Sequence, residues 1–362
     1  MSLATLIPMD AGVKNDEKRV FEQAKRHSNE TLDQLAKDFP GISAAVYKGS
    51  NAVWSSARGA ANLDQAIPAT GDTVYNIYST SKALTGFAFA CLERDGKVGL
   101  NQTAGELATD LPETFHPIRI RDLLSHTSGI RHYSSRMDWL GFAQRECETP
   151  LEAIQYFADD PLVSEPGSNF HYSTFAFVVA SELLLRVTGE KRFDVALNSS
   201  LGSWADFQLD HPSANKAKMY IQAGRLPRPP GGISSEAIVP LPPMSAACKY
   251  GGGGLIASSK QLARAGAALY QGEIIPLANL DTALLPWTEV NRVVYGAAVN
   301  NHEGSDGQYR SYSLSGGAPG GRSYLLVLIE PQISVAIAAN REGPNLSNSA
   351  WKIAKAWLGA EY

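Results

Sequence analysis

A chain of 362 residues is long enough for one large domain or two interlocked ones with a substantial core. Apolar residues make up 44% and charged residues 19%, as in ordinary globular proteins, and the formal net charge of −4 argues against nucleic acid or an anionic membrane surface as a partner. No apolar run reaches the length of a membrane-spanning helix and no basic region followed by an apolar core marks a signal peptide. The expectation is therefore a protein with no membrane span. Its oligomeric state stays open, and so does the choice between a cytoplasmic and an exported location. The three cysteines, Cys91, Cys147 and Cys248, show no paired spacing, so no disulfide framework is expected, and Cys91 reads as a small core residue.

In chain order, Asn15-Asp16 is placed to cap a helix running to about Lys37, with Val20, Phe21, Ala24, Leu32 and Leu35 on its apolar face. Pro40-Gly41 ends it. Residues 42–47 and 52–56 then read as two strands joined by a turn at Lys48-Gly49-Ser50-Asn51, an antiparallel hairpin. A Gly-, Pro- and Asp-rich loop leads to Tyr75-Asn76-Ile77-Tyr78-Ser79-Thr80-Ser81-Lys82, and a largely buried helix follows, ending at Asp95-Gly96. From Leu100 to about Leu201 the signals are mostly helical, including a buried helix over 175–187 closed by Thr188-Gly189. Residues 223–254, rich in Pro and Gly, suit a long ordered crossing segment. A helix over 261–270, strands over 292–300, 322–330 and 333–339, and a closing helix over 346–358 complete the pattern, with Pro331-Gln332 turning the last hairpin. The fold expected is α/β of the α+β kind. An antiparallel sheet is built from 1–75 and 245–362 and flanked by the N- and C-terminal helices, and 76–244 forms a large, mainly helical insertion.

Ser79 and Lys82 stand three residues apart at the mouth of a helix, so the ammonium lies beside the hydroxyl. A serine hydroxyl is a weak nucleophile until a base takes its proton, and a lysine can be that base when desolvation lowers its pKa. The helix start also offers free N–H groups for a developing oxyanion. Two further Ser-x-x-Lys matches, Ser213…Lys216 and Ser349…Lys352, sit in a polar stretch and an amphipathic helix and read as solvated pairs. Tyr172, on the loop before a buried helix, can have its pKa lowered by a neighbouring ammonium and then accept a proton; the bland alternative is a core tyrosine bonded to backbone. The run from Ser313 to Arg322 carries consecutive glycines that let a substrate approach the backbone. Gly317 N–H there is placed to pair with Ser79 N–H as an oxyanion hole, and the bland alternative is a glycine-rich hairpin turn. His126 reads as a side chain bonded to loop backbone. No Gly-x-Ser-x-Gly elbow is present, which argues against an α/β-hydrolase, and the histidine spacing forms no metal-binding cluster, which argues against a metal hydrolase.

Ser79-Thr80-Ser81-Lys82, Tyr172-Ser173-Thr174 and Leu314-Ser315-Gly316, in this order, resemble the three motifs of the serine β-lactamase and penicillin-binding protein superfamily. Three more stretches resemble landmarks of its class C-like branch, which includes esterases, D-amino-acid peptidases and mitochondrial serine β-lactamase-like proteins. They are Leu123–Ile130, Pro166-Gly167…Tyr172-Ser173 and Gly252–Ser258. The resemblance covers the chain from about Gly41 onward. It implies an acyl-enzyme mechanism without metal or cofactor on a small-molecule or peptide substrate, with Ser79 as nucleophile, Lys82 as base, Tyr172 as proton relay, and Thr174, Leu314, Ser315 and Gly316 lining the substrate. Two positions depart from the pattern. Thr174 stands where Asn is common, and its hydroxyl can still bond Lys82. Leu314 stands where Lys or His usually faces a substrate carboxylate, which favours esters or uncharged peptides over β-lactams.

Overall fold

The computed structural model describes residues 11–226, 231–242, 244–279, 288–290, 293–296, 299–303 and 309–359. Its helices are α1 (Ala11–Leu35), α2 (Ser81–Arg94), α3 (Ala104–Leu107), α4 (Ile120–Leu124), α5 (Arg136–Ala143), α6 (Pro150–Ile154), α7 (Phe175–Thr188), α8 (Phe193–Leu201), α9 (Ser259–Tyr270) and α10 (Ser347–Trp357). The strands are β1 (Gly41–Lys48), β2 (Asn51–Asn62), β3 (Ile67–Pro68), β4 (Tyr75–Asn76), β5 (Gln208–Leu209), β6 (Tyr220–Gln222), β7 (Ile238–Pro240), β8 (Leu255–Ala257), β9 (Thr288–Val290), β10 (Val293–Gly296), β11 (Val299–Glu303), β12 (Arg310–Ala318), β13 (Gly321–Leu328) and β14 (Ile333–Ala339).

Among the described residues the main sheet has nine strands in the order β3-β2-β1-β14-β13-β12-β11-β10-β9, all antiparallel. The first hairpin meets the last through Ile42↔Ala339 to Lys48↔Ile333, so strands from the two ends of the chain share one sheet, as the strand pattern predicts. Alternation along the strands explains the layers. Ile42, Ala44 and Val46 of β1, with Ile333, Val335 and Ile337 of β14, pack into one core, and Ala45 and Ala336 face another. The first core is closed by α1 and α10, where the Phe21 and Trp357 rings meet edge to face at 5.2 Å and the Trp357 indole donates to Ser28 Oγ. The second is closed by α9. A methyl at Gly266 would stand 2.2 Å from Ser334 Oγ, so glycine sets how closely α9 lies on the sheet.

The second core continues into α2, α7 and α8 without a break. A small sheet, β4-β8-β5, joins the approach to Ser79 with residues 208–209 and 255–257.

Several expectations need correction. Helix α1 already includes Ala11, so Asn15-Asp16 lies within it and not at its start. The glycine-rich run before β13 is strand β12 as far as Ala318, which puts Gly317 on a strand as the functional reading has it and leaves the bland alternative, a hairpin turn, only at Pro319-Gly320; Gly320 has φ +90°. The strand predicted over 292–300 is two, β10 and β11; Arg292 lies outside the described residues. Cys147 and Cys248 form a disulfide across 101 residues, whereas Cys91 is the buried free thiol predicted. Local spacing carries no sign of a bond that only the folded chain brings together.

Candidate active site

Ser79 sits on a turn that the sheet holds from outside. Ile77 donates its N–H to Leu255 O at 3.2 Å, and its own carbonyl accepts from Ser323 Oγ at 2.6 Å. Thr80 Oγ1 and Ser323 Oγ are 2.8 Å apart, and the Tyr78 hydroxyl donates to Pro319 O at 2.6 Å. Between these anchors Tyr78 adopts φ +46°, a left-handed backbone that a tyrosine keeps only under constraint. A side chain at Gly316 would lie 2.0 Å from Ile77 O, so glycine there lets β12 rest directly on the turn. One 3₁₀ turn, Tyr78–Thr80, then passes into α2. Helix α2 is buried on every side from Ser81 to Leu92, which carries the Lys82 side chain into the interior at 0% exposure while Ser79 remains half-buried.

There Lys82 Nζ lies 3.3 Å from Ser79 Oγ, 3.3 Å from Thr174 Oγ1 and 2.5 Å from Gly252 O. The Tyr172 hydroxyl donates to Ser79 Oγ at 2.8 Å. Burial alone lowers the Lys82 pKa to about 7, so the amine is neutral in about half the molecules at neutral pH. A neutral amine has two N–H donors and one lone pair. Gly252 O and Thr174 Oγ1 can take the donors, which leaves the lone pair for the Ser79 proton. Tyr172 behaves opposite to expectation. The nearby ammonium does not lower its pKa; burial pushes the phenol up to about 12, and the bond to Ser79 offsets this only in part. At neutral pH Tyr172 keeps its proton and acts as a donor.

Two histidines fix the loop that presents these groups. His126 Nδ1 accepts the Ser173 N–H and His132 Nδ1 accepts the Thr174 N–H, each at 3.2 Å, which puts the proton of each neutral ring on Nε2. Their ring centres lie 4.4 Å and 5.2 Å from that of Tyr172. Burial first, and the Lys82 charge second, hold His126 well below the usual histidine range and lower His132 to about 4. His126 bonds loop backbone as predicted; sequence reasoning missed the partnership of His132.

It also missed the Gly252 acceptor, although the run Gly251–Gly254 signalled a close approach. A side chain at Gly252 would stand 2.7 Å from Thr174 O, and one at Gly251 2.3 Å from Thr85 Oγ1. The Cys147–Cys248 disulfide anchors this segment, and Tyr250 donates its hydroxyl to Cys147 O at 3.1 Å.

The third motif lies along β12. Leu314 is 6% exposed and belongs to the same core as Ile77 and Leu84, Ser315 is half-buried, and Gly317 is exposed. Gly317 pairs with Arg322, whose guanidinium covers it: a Cβ at Gly317 would be 2.5 Å from Arg322 Nη1. Register with β11 ends at Asn300↔Ser313, just before Leu314. Among the described residues no three of His, Cys, Asp or Glu gather as a metal site, and no helix is long and apolar enough to cross a membrane.

The beta-lactamase family profile matches residues 23–356. The human serine beta-lactamase-like protein LACTB, mitochondrial, is 25% identical over 93% of this chain and 80% of its own length. Among solved structures, EstCE1, a hydrolase with promiscuous acyltransferase activity, superimposes with a TM-score of 0.76 at 21% identity, covering 94% of this chain and 99% of that one. The octameric penicillin-binding protein homologue from Pyrococcus abyssi gives 0.73 at 22% identity, covering 97% and 77%. Such likenesses establish the shared fold, and the profile spans nearly the whole chain: this protein belongs to the beta-lactamase family of serine hydrolases.

Proposed function

We propose that the protein hydrolyses an ester or amide through an acyl-enzyme on Ser79. The observation that carries this reading is the position of Ser79 Oγ, 3.3 Å from a lysine that burial keeps partly neutral and 2.8 Å from a protonated phenol. Ser79 Oγ attacks the carbonyl carbon while its proton passes to Lys82 Nζ. As the tetrahedral intermediate collapses, Tyr172 gives its proton to the leaving oxygen or nitrogen, and the Lys82 ammonium restores it. Water then attacks the acyl-Ser79 ester, losing its proton to Lys82, and Ser79 leaves with that proton. The N–H groups of Ser79 and Gly317 hold the oxyanion in both halves. Thr174 orients Lys82, and Ser315, half-buried on β12, lines the substrate, while Leu314 and Gly316 on the opposite face pack inward. The likeness to EstCE1 supports the ester side of this range.

A second reading rests on Arg322. Its guanidinium lies against Gly317 with no ion pair among the described residues, and its Nε is buried without a partner. That cation can replace the charge Leu314 does not supply and favour a substrate with a carboxylate, such as a peptide end or a penicillin. Intact-protein mass spectrometry after exposure to p-nitrophenyl acetate or to a penicillin, with Ser79→Ala as control, separates the two. A Ser79-dependent acetyl adduct or turnover with the ester alone supports the first, and a penicilloyl adduct or penicillin turnover supports the second. No reaction with either would leave a very selective peptidase or a catalytically silent binding protein, and would favour the second.

A further inference from the structure

Next to the Ser79 turn lies a set of buried polar groups that the hydrolytic scheme does not use. Asn76 is 2% exposed, and neither its Oδ1 nor its Nδ2 has a hydrogen-bond partner. Lys249 is 5% exposed, and the described contacts of its ammonium are the faces of the Tyr78 and Trp139 rings, at 5.3 and 5.0 Å. Both side chains line one chamber, walled by Tyr78, Trp139, Asp210 and Pro319. Burying an amide without hydrogen-bond partners is costly unless something occupies the space beside it, and the Lys249 ammonium opens on the same space. Asp210 does not meet that need, because its Oδ2 accepts the Ala246 N–H at 2.8 Å and its Oδ1 is paired with Lys216. Two ammonium groups, Lys216 and Lys249, thus face one carboxylate, and the chamber keeps one positive charge unanswered when Lys249 is protonated.

The shape of the space narrows the choice. The chamber itself is tight, about 10 Å³, close to the space of one water molecule, so it takes a single oxygen of a head group whose remainder lies outside it. The chamber shares Ala143, Met219, Leu241 and Met244 with an adjoining groove of about 580 Å³, which is large enough for a small ligand and largely apolar along those side chains.

We propose that Asn76 and Lys249 form the head-group end of a binding site for a small organic acid. Its carboxylate meets the Lys249 ammonium and the Asn76 amide N–H₂, and its apolar chain lies along Met219, Leu241 and Met244. The site goes beyond the hydrolytic reading and needs neither Ser79 nor Lys82. Tyr78 immediately precedes Ser79, and Lys249 stands three residues before Gly252. An acid bound here therefore touches both backbone segments that hold the Ser79–Lys82 pair.

Isothermal titration calorimetry of the full chain with sodium octanoate, with 1-octanol as the uncharged counterpart, tests this. One octanoate site is expected, equal in the wild type and in Ser79→Ala, weakened at least tenfold in Lys249→Met and in Asn76→Leu, and unmatched by octanol. A check on the wild-type chain needs neither substitution to fold: ¹³C-methyl spectra of the 5 methionines should show octanoate shifting Met219 and Met244. Absence of octanoate binding, binding undiminished in Lys249→Met, or shifts confined to the other methionines would each overturn the proposal and leave the chamber to ordered water.

Discussion

Lys82 ties activity and stability to pH in the same direction. As a base it acts in its neutral form, so kcat/KM for p-nitrophenyl acetate should rise with pH through an apparent pKa near 7. Lys82→Met should lower it by roughly 10²–10⁴-fold with the fold intact; near-wild-type turnover in that variant would refute the assignment of the base. The folded pKa is depressed from the ordinary 10.5 to about 7, so between those values the unfolded chain binds more protons than the folded one. Stability should therefore climb from pH 7 toward pH 10, and urea midpoints at pH 7 and 9.5 should differ less in Lys82→Met. Tyr172→Phe removes the donor to Ser79 Oγ and should cost roughly 10²-fold or more in kcat with little change in thermal midpoint. At this scale the Ser79–Lys82 neighbourhood was legible, because helical spacing alone brings i and i+3 together. The direction of the Tyr172 shift was not. A sequence shows that a charge is near, and only the fold shows that burial outweighs it.

Among the elements, the loop before α7 depends on two imidazoles that work only while neutral. His132→Asn keeps an acceptor near the Thr174 N–H and should retain most activity, whereas His132→Phe keeps the ring and loses the acceptor. A much lower kcat in Phe than in Asn would show that the bond, more than the packing, places Thr174 and Tyr172; equal loss would refute this. Both histidines have folded pKa values below the ordinary 6.5; the stability His132 contributes is present above pH 6.5 and is lost as pH falls through about 4, and His126 acts in the same direction. Acid unfolding of His132→Asn should accordingly be displaced to lower pH. The helices α2, α7 and α10 and the two terminal hairpins followed from apolar periodicity and turn residues. Strand β12 was legible only in part, because Gly316, Gly317, Gly320 and Gly321 are as compatible with a hairpin turn as with a strand. Two of those glycines serve the site instead: Gly316 clears the Ile77 carbonyl and Gly317 lies under Arg322.

For the molecule as a whole, the Cys147–Cys248 bond links the loop after α5 to the segment carrying Gly252. A cross-link closing so long a loop stabilises a protein by typically about 2–4 kcal/mol. Cys248→Ala, or reduction of the wild type, should lower the thermal midpoint and also reduce turnover, since Gly252 O is an acceptor of Lys82. A midpoint indifferent to reductant would mean that the bond contributes nothing to the folded state. The shared sheet could be read from strand patterns at both ends of the chain. The disulfide could not, since its partners converge only through the packing of the helical region.

The pairing of Ile42 with Ala339 has a consequence for how the protein is made. A ribosome that has finished β1 must work on the order of 15–60 s more before the strand destined to lie beside it exists. Throughout that interval the first hairpin carries an open edge and the bare apolar face of Ile42, Ala44 and Val46, a target for holding chaperones and a liability without them. Ser79 and Lys82 are polymerised well before Gly316 and Ser323, which pin their turn and arrive only after the whole helical region. Nascent chains should thus stay hydrolytically silent until the last hairpin docks, so that competence arrives together with completion of the sheet.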